Sequence, residues 1–122
     1  MLKIETHQVN DTKIAEVVSE TVVINTIQDG LDLVGNLYFQ GFDSILIYEN
    51  NIAPAFFDLK TGIAGEILQK FSNYRVRLAI VGNFSENRSK SIKDFIYESN
   101  KLGQINFVET KSEAIGRLVK RG

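Results

Sequence analysis

Residues 56–83 read FFDLKTGIAGEILQKFSNYRVRLAIVGN, and the spacing of their apolar positions changes once, at Asn73-Tyr74. Before that pair, Leu59, Ile63, Ile67 and Phe71 recur every fourth residue, with Ala64 and Leu68 beside them. That spacing gives a helix one apolar face. After it, Val76, Leu78 and Ile80 alternate with Arg77, Ala79 and Val81. The end of this run is apolar on both sides, as a central parallel strand covered on two faces must be. Gly62 and Gly65 near the helix start permit a sharp entry into the helix or the close approach of another backbone. The stretch therefore predicts a helix from Leu59 to Phe71 feeding a buried strand at Arg75–Val81, the repeating unit of an α/β fold.

The same unit recurs on both sides. Upstream, Ser44–Tyr48 is a short, almost wholly apolar run that predicts a buried strand. Ile27, Leu31, Val34 and Tyr38 mark a helix over 26–40, with Asn25 as N-cap, Gln28 completing a capping box and Gly41 just past the end. Two β-like runs, Leu2–Val9 and Thr12–Val18, flank the turn signal Asn10-Asp11 and predict a hairpin, with Val22–Ile24 extending the pairing. Downstream, Gly82–Arg88 is the longest polar connection. Ser89 or Ser91 then caps a helix, with Asp94 in a capping box to Ser91, that closes at Gly103. Gln104–Val108 is a last strand, and Ser112 opens a last helix that ends at Lys120 and Arg121, cations suited to the negative helix end. A strand pair followed by alternating helices and strands predicts a single α/β domain over residues 1–122, with a mostly parallel sheet and right-handed crossovers. Sites in such sheets lie beyond the carboxyl ends of the strands, here at 49–60, 82–91 and 109–112.

Composition sets the outer bounds. A chain of 122 residues buries a core without metal or disulfide staples. A net charge of −1 gives no general attraction to nucleic acid or to an acidic membrane, and no apolar run approaches the length of a membrane span. MLKIETHQVN lacks the apolar core of a signal peptide. With no cysteine, disulfides, thiol nucleophiles and thiolate metal sites are excluded. The expectation is a soluble, cytoplasmic domain that binds neither nucleic acid nor membrane.

Two loops carry the candidate binding residues. In the first, Asp58, Lys60, Thr61 and Gly62 stand at a helix start. Thr61 there is either a phosphoacceptor, whose phosphate the positive helix end would hold, or a plain cap beside Asp58. Ile52, Ala53, Ala55, Phe56 and Phe57 make the same loop unusually apolar, so Phe56 and Phe57 cover the core, line a pocket or meet a partner. Tyr38, Phe39 and Phe42 raise that question again at the end of the first helix, and for Phe42 coverage of the sheet end is the simpler reading. In the second loop, Arg88, Ser89, Lys90 and Ser91 bring two cations and two hydroxyls to a helix start, with Asn83 at the preceding strand end: an anion-binding arrangement without Walker spacing, or a solvated loop with a capped helix. His7, the only histidine, alternates with Lys3 and Glu5 on a polar strand face and reads as a surface residue. No nucleophile triad or metal set assembles from these residues, and no cofactor is implied.

The element order, with Phe57-Asp58-Leu59-Lys60-Thr61-Gly62-Ile63-Ala64-Gly65, resembles the STAS domains of sulphate-transporter tails and anti-sigma-factor antagonists. Thr61-Gly62 stands where the antagonists carry a phosphorylatable serine-glycine pair, and Asp58 stands near their aspartate. This chain departs from that pattern in having two residues between Asp58 and Thr61, an added charge at Lys60 and a long apolar loop before the helix. DLKTGIAGEILQKF, YRVRLAIVGNFS and SKSIKDFIYESNK carry a closer likeness, over nearly the full length, to a group of small bacterial proteins classed as a domain of unknown function within the STAS-like superfamily. The resemblance implies a non-enzymatic regulatory or interaction module that binds a protein partner or a small anion through loops 49–62 and 82–91. The alternative is a small-molecule enzyme or carrier with an anion clamp at Arg88 and Lys90. Exposed aromatic residues leave room for a homodimer.

Overall fold

The computed structural model describes residues 2–84 and 88–119. Strands β1 (Lys3–Val9) and β2 (Thr12–Val18) form an antiparallel hairpin, with Asn10 left-handed at φ 53° in its turn. The chain then alternates through helix α1 (Ile27–Phe39), strand β3 (Ser44–Tyr48), helix α2 (Ile63–Tyr74), strand β4 (Arg77–Val81), helix α3 (Lys90–Leu102), strand β5 (Ile105–Val108) and helix α4 (Lys111–Leu118). The five strands lie in the order β1-β2-β3-β4-β5, and every pairing after the hairpin is parallel.

The doubly apolar strands are covered on both sides. On one face, Ile45, Ile47, Leu78, Ile80 and Phe107 pack against Leu33, Val34 and Leu37 of α1 and against Ala64, Ile67, Leu68 and Phe71 of α2, with Phe95 and Ile96 of α3 at the margin. On the other, Ile14, Leu46, Ala79, Val81 and Val108 receive Ala114 and Leu118 of α4. The apolar loop before α2 belongs to the first face: Ile52, Ala53 and Phe56 are buried there, as is Phe42. Asn51, itself buried, donates its amide to the carbonyls of Ser19 and Thr21, both at 2.8 Å. Its own carbonyl accepts from Val23 and Ile24, so Ile24 pairs with Ile52 and the expected extension at 22–24 forms as a single bridge.

Several boundaries differ from expectation, each for a local reason. The capping box of α1 is Thr26 with Asp29, one residue later than Asn25 with Gln28; β-branched Thr26 favours the extended backbone of an N-cap, and the short Asp29 carboxylate accepts from two backbone amides at 3.0 Å. Leu59 is excluded from α2 because Gly62 turns left-handed at φ 76°, leaving Leu59–Thr61 as a separate 3-10 turn. Arg75, also left-handed, delays β4 to Arg77. Ser89 caps α3 by accepting from Ile92, while Asp94 pairs with Lys90 instead of closing a box to Ser91. Thr110, not Ser112, opens α4. Lys120 and Arg121, expected at the last helix end, lie outside the described residues, as do residues 85–87 of the polar connection.

Helices α1 and α2 meet at Gly30, where an added Cβ would lie 2.6 Å from the Ile67 side chain. Replacing this glycine by alanine raises intrinsic helix propensity by about 1 kcal/mol, yet forces a methyl into a filled site at a cost of about 1–3 kcal/mol. Urea denaturation of Gly30→Ala should therefore show a net loss of stability. Ile67→Ala, which empties the same contact, should cost about 2–5 kcal/mol. A Gly30→Ala protein more stable than wild type would mean that the two helices are free to separate.

Candidate functional site

The two loops singled out in the sequence meet beyond the carboxyl ends of β3 and β4. The 3-10 turns Pro54–Phe57 and Leu59–Thr61 supply Phe57, Leu59 and Lys60 to one wall of a cleft of ≈580 Å3, and Ser89 and Ser91 at the head of α3 face them. Asp58 joins the turns, its carboxylate accepting from Lys60 N at 3.1 Å. Lys60 makes no ion pair among the described residues. Phe56 is only 2% exposed and belongs to the core, so no partner reaches it.

Thr61 and Gly62 stand behind this wall. The Thr61 hydroxyl lies 2.9 Å from the carbonyls of both Ala55 and Asp58, to which it donates, and it accepts from Ile63 N at 3.2 Å. It thus pins the turn to the first turn of α2. Gly62 supplies the left-handed backbone that no side chain adopts cheaply.

Arg88 lines a neighbouring hollow of ≈430 Å3 that shares Pro54 and Phe57 with the cleft. Arg88 donates to the Glu49 carboxylate and to Asn83 O, and its guanidinium lies 5.2 Å from the Phe84 ring centre and 5.7 Å from that of Phe57. The other Glu49 oxygen accepts from Asn83 N at 3.2 Å. Gly82 makes this fit possible, because a Cβ there would collide with Glu49 and Phe84. The charge of Arg88 is therefore already matched inside the protein, and Lys90, 90% exposed, is paired with Asp94.

A second constellation, on the α4 face of the sheet, was not foreseen from sequence. Glu16, 5% exposed at its side chain, lies between Ile14 and Val18 on the α4 side of β2. Its Oε1 meets His7 Nε2 at 2.7 Å and Lys111 Nζ at 2.8 Å, while Oε2 accepts from the Tyr48 hydroxyl at 2.7 Å. Burial alone would raise the Glu16 pKa, but the bonds from Lys111, His7 and Tyr48 outweigh it and hold the carboxyl down at about 2. Burial and the bond to Glu16 push the Tyr48 phenol up to about 12, and the bond to Glu16 raises the pKa of Lys111. His7 does share a face with Lys3 and Glu5, as alternation required, but it is half-buried and in contact with Glu16. The available signal was a lone carboxylate inside the run Ile14-Ala15-Glu16-Val17-Val18.

Residues 9–118 match the family model described as a domain of unknown function, DUF4180. The chain belongs to that family. The DUF4180 match takes in both loops of the cleft together with Glu16, Tyr48 and Lys111, and leaves Glu5 and His7 just outside it. No curated protein matches the chain. Among the described residues, no helix is long and apolar enough to cross a membrane.

Two measurements follow from this geometry. Arg88→Ala should lower stability by about 1–3 kcal/mol, because it leaves Glu49 without its half-buried partner, whereas Lys90→Ala on an exposed helix pair should change it by less than about 0.5 kcal/mol. Equal effects in chemical denaturation would contradict the burial of the Arg88–Glu49 pair. Glu16, with a folded pKa below its ordinary 4.5, contributes stability that is present above that value and lost as pH falls through about 2. Its share is about 3 kcal/mol. Denaturant midpoints measured from about pH 5 to about pH 2 should fall less steeply in Glu16→Gln than in wild type, and parallel curves would show that Glu16 is not a depressed carboxyl.

Proposed function

We propose that this DUF4180 chain is a non-enzymatic, STAS-like regulatory or interaction module, its crossovers right-handed, that works in the cytoplasm. It recognises an anionic group, presented by a protein partner or by a small molecule, through loops 49–62 and 82–91. The observation that carries this reading is the cleft itself. Apolar Phe57 and Leu59, the cation Lys60, which has no ion-pair partner among the described residues, and the hydroxyls of Ser89 and Ser91 converge there from separate parts of the chain. An apolar wall carrying the Lys60 cation suits a group that is part hydrocarbon and part anion, and the amides at the head of a 13-residue helix add a positive end to the same space.

Regulation at Thr61 fits this reading in a particular way. Its hydroxyl bridges the turn that carries Lys60 to the start of α2. A phosphate on that oxygen would break the two bonds to carbonyls, so modification would act by reshaping the cleft wall and by adding charge beside it. The enzyme or carrier reading has less support, because Arg88 and Lys90, its anion clamp, are already engaged by Glu49 and Asp94.

The test is affinity capture from the native cell with four baits: wild type, Lys60→Glu, Ser91→Glu and Thr61→Glu. All four should retain wild-type circular dichroism, since Lys60, Thr61 and Ser91 are exposed. A partner held by wild type should be lost by Lys60→Glu and Ser91→Glu, which reverse the charge of the cleft, and weakened by Thr61→Glu. A set of captured proteins unchanged across all four baits would remove the cleft from the account.

A further inference from the structure

We propose that Glu5, His7 and Glu16 form a site for one borderline divalent cation of the Zn2+ class, and that Lys111 is the internal cation which such an ion displaces. The β1–β2 register sets Glu5 directly opposite Glu16, with His7 two residues along on the same face. One ligand atom from each of the three lies within 4.8 Å of the others. Donors sharing one ion at about 2.0–2.2 Å are separated by at most about 4.4 Å, so small rotations of these side chains close the site.

Charge demands a cation here. Carboxylates facing each other across adjacent strands repel, and Glu16 is buried where water screens little. The positive charge comes from Lys111 Nζ, on the same Oε1 that His7 Nε2 approaches, and at the exposed edge from Lys3 Nζ, 3.6 Å from Glu5 Oε1. Yet the Lys111 side chain is 43% exposed and reaches in from the start of α4, so it can swing out to solvent without disturbing the core. A divalent ion would take the place of that ammonium and of the proton between His7 Nε2 and Glu16 Oε1. Lys111 would keep its proton and swing out, and the His7 Nε2 proton would pass to solvent, with Nδ1 taking one up in exchange where the ring is neutral and holding its own where the ring is protonated.

The surroundings suit such an exchange. Tyr48 occupies Glu16 Oε2 and leaves Oε1 as the oxygen that faces the site, the role outer-shell hydrogen bonds play around metal-ligating carboxylates. An imidazole nitrogen among two carboxylates selects Zn2+ over Mg2+, Ca2+ and Mn2+, which prefer oxygen alone. Three protein ligands leave further coordination positions for water, and a hollow of ≈570 Å3 opens on the other side of Glu16 and Tyr48. The site is on the α4 face, away from the cleft of the proposed function, and does not depend on it.

The test is isothermal titration of the full chain with ZnCl2, MnCl2 and MgCl2, with the His7 ring followed by NMR under Zn2+. Wild type should bind one Zn2+ with a shift of the His7 resonances, and Mn2+ and Mg2+ much more weakly. Lys111→Gln, which removes the competing ammonium, should bind about tenfold tighter, and His7→Gln and Glu5→Gln about tenfold or more weaker. Because His7 is the only histidine and the chain has no cysteine, binding retained by His7→Gln would be adventitious carboxylate binding and would overturn the proposal. Lys111→Gln binding no tighter than wild type would also overturn it, as would Mg2+ binding as tightly as Zn2+. Glu5, 42% exposed at its side chain, keeps the test valid should Lys111→Gln fold poorly.

Discussion

Strands β3 and β4 have no face that tolerates water, and the architecture follows from that. Ile45, Ile47, Leu78 and Ile80 point one way and Leu46, Ala79 and Val81 the other, all of them buried. A sheet whose centre is apolar on both sides needs helices on both sides. Three crossovers place α1, α2 and α3 on one face, and the chain then needs one more helix, α4, to close the other. Helix α4 is short and covers the middle of its face, through Ala114 and Leu118. Toward the hairpin that face is finished with polar groups instead: Glu16, His7, Tyr48 and the incoming Lys111.

That polar finish holds together because it is complete. A buried carboxylate without partners would cost several kcal/mol, but both oxygens of Glu16 are engaged by donors from three elements, β1, β3 and α4. Among the described residues, no buried side-chain polar atom lacks a hydrogen-bond partner. The cluster therefore ties α4 to the hairpin through Lys111, the one member of this nitrogen- and oxygen-rich patch whose side chain reaches in from solvent.

The loops at the other end of the strands are organised by the same economy. Asn51 ties the segment after β2 to the segment after β3, and Glu49 ties the end of β3 to the loop after β4 through Asn83 and Arg88. With these segments fastened, the remaining side chains at the strand ends, Phe57, Leu59, Lys60, Ser89 and Ser91, are left to line a cleft. A loop so apolar in composition divides its labour: Ile52, Ala53 and Phe56 complete the core, and Phe57 forms the boundary between core and cleft.

Periodicity alone determined the α/β class, the hairpin, the order of the elements and the doubly covered centre of the sheet, because local spacing of apolar side chains is set by the geometry of helices and strands and survives any folding partner. It also located the carboxyl-end loops that form the cleft. What it did not determine was pairing between distant side chains. Sequence left Arg88 open between an anion clamp and a solvated loop, since nothing near it in sequence announces Glu49, which lies 39 residues away. His7 looked like a surface residue for the same reason: Glu16 is its neighbour only through the hairpin register, and Lys111 reaches Glu16 only after all three crossovers have stacked the sheet. Charge compensation is a property of positions in space, so the identity of the paired and the exposed ions was decided by the tertiary structure.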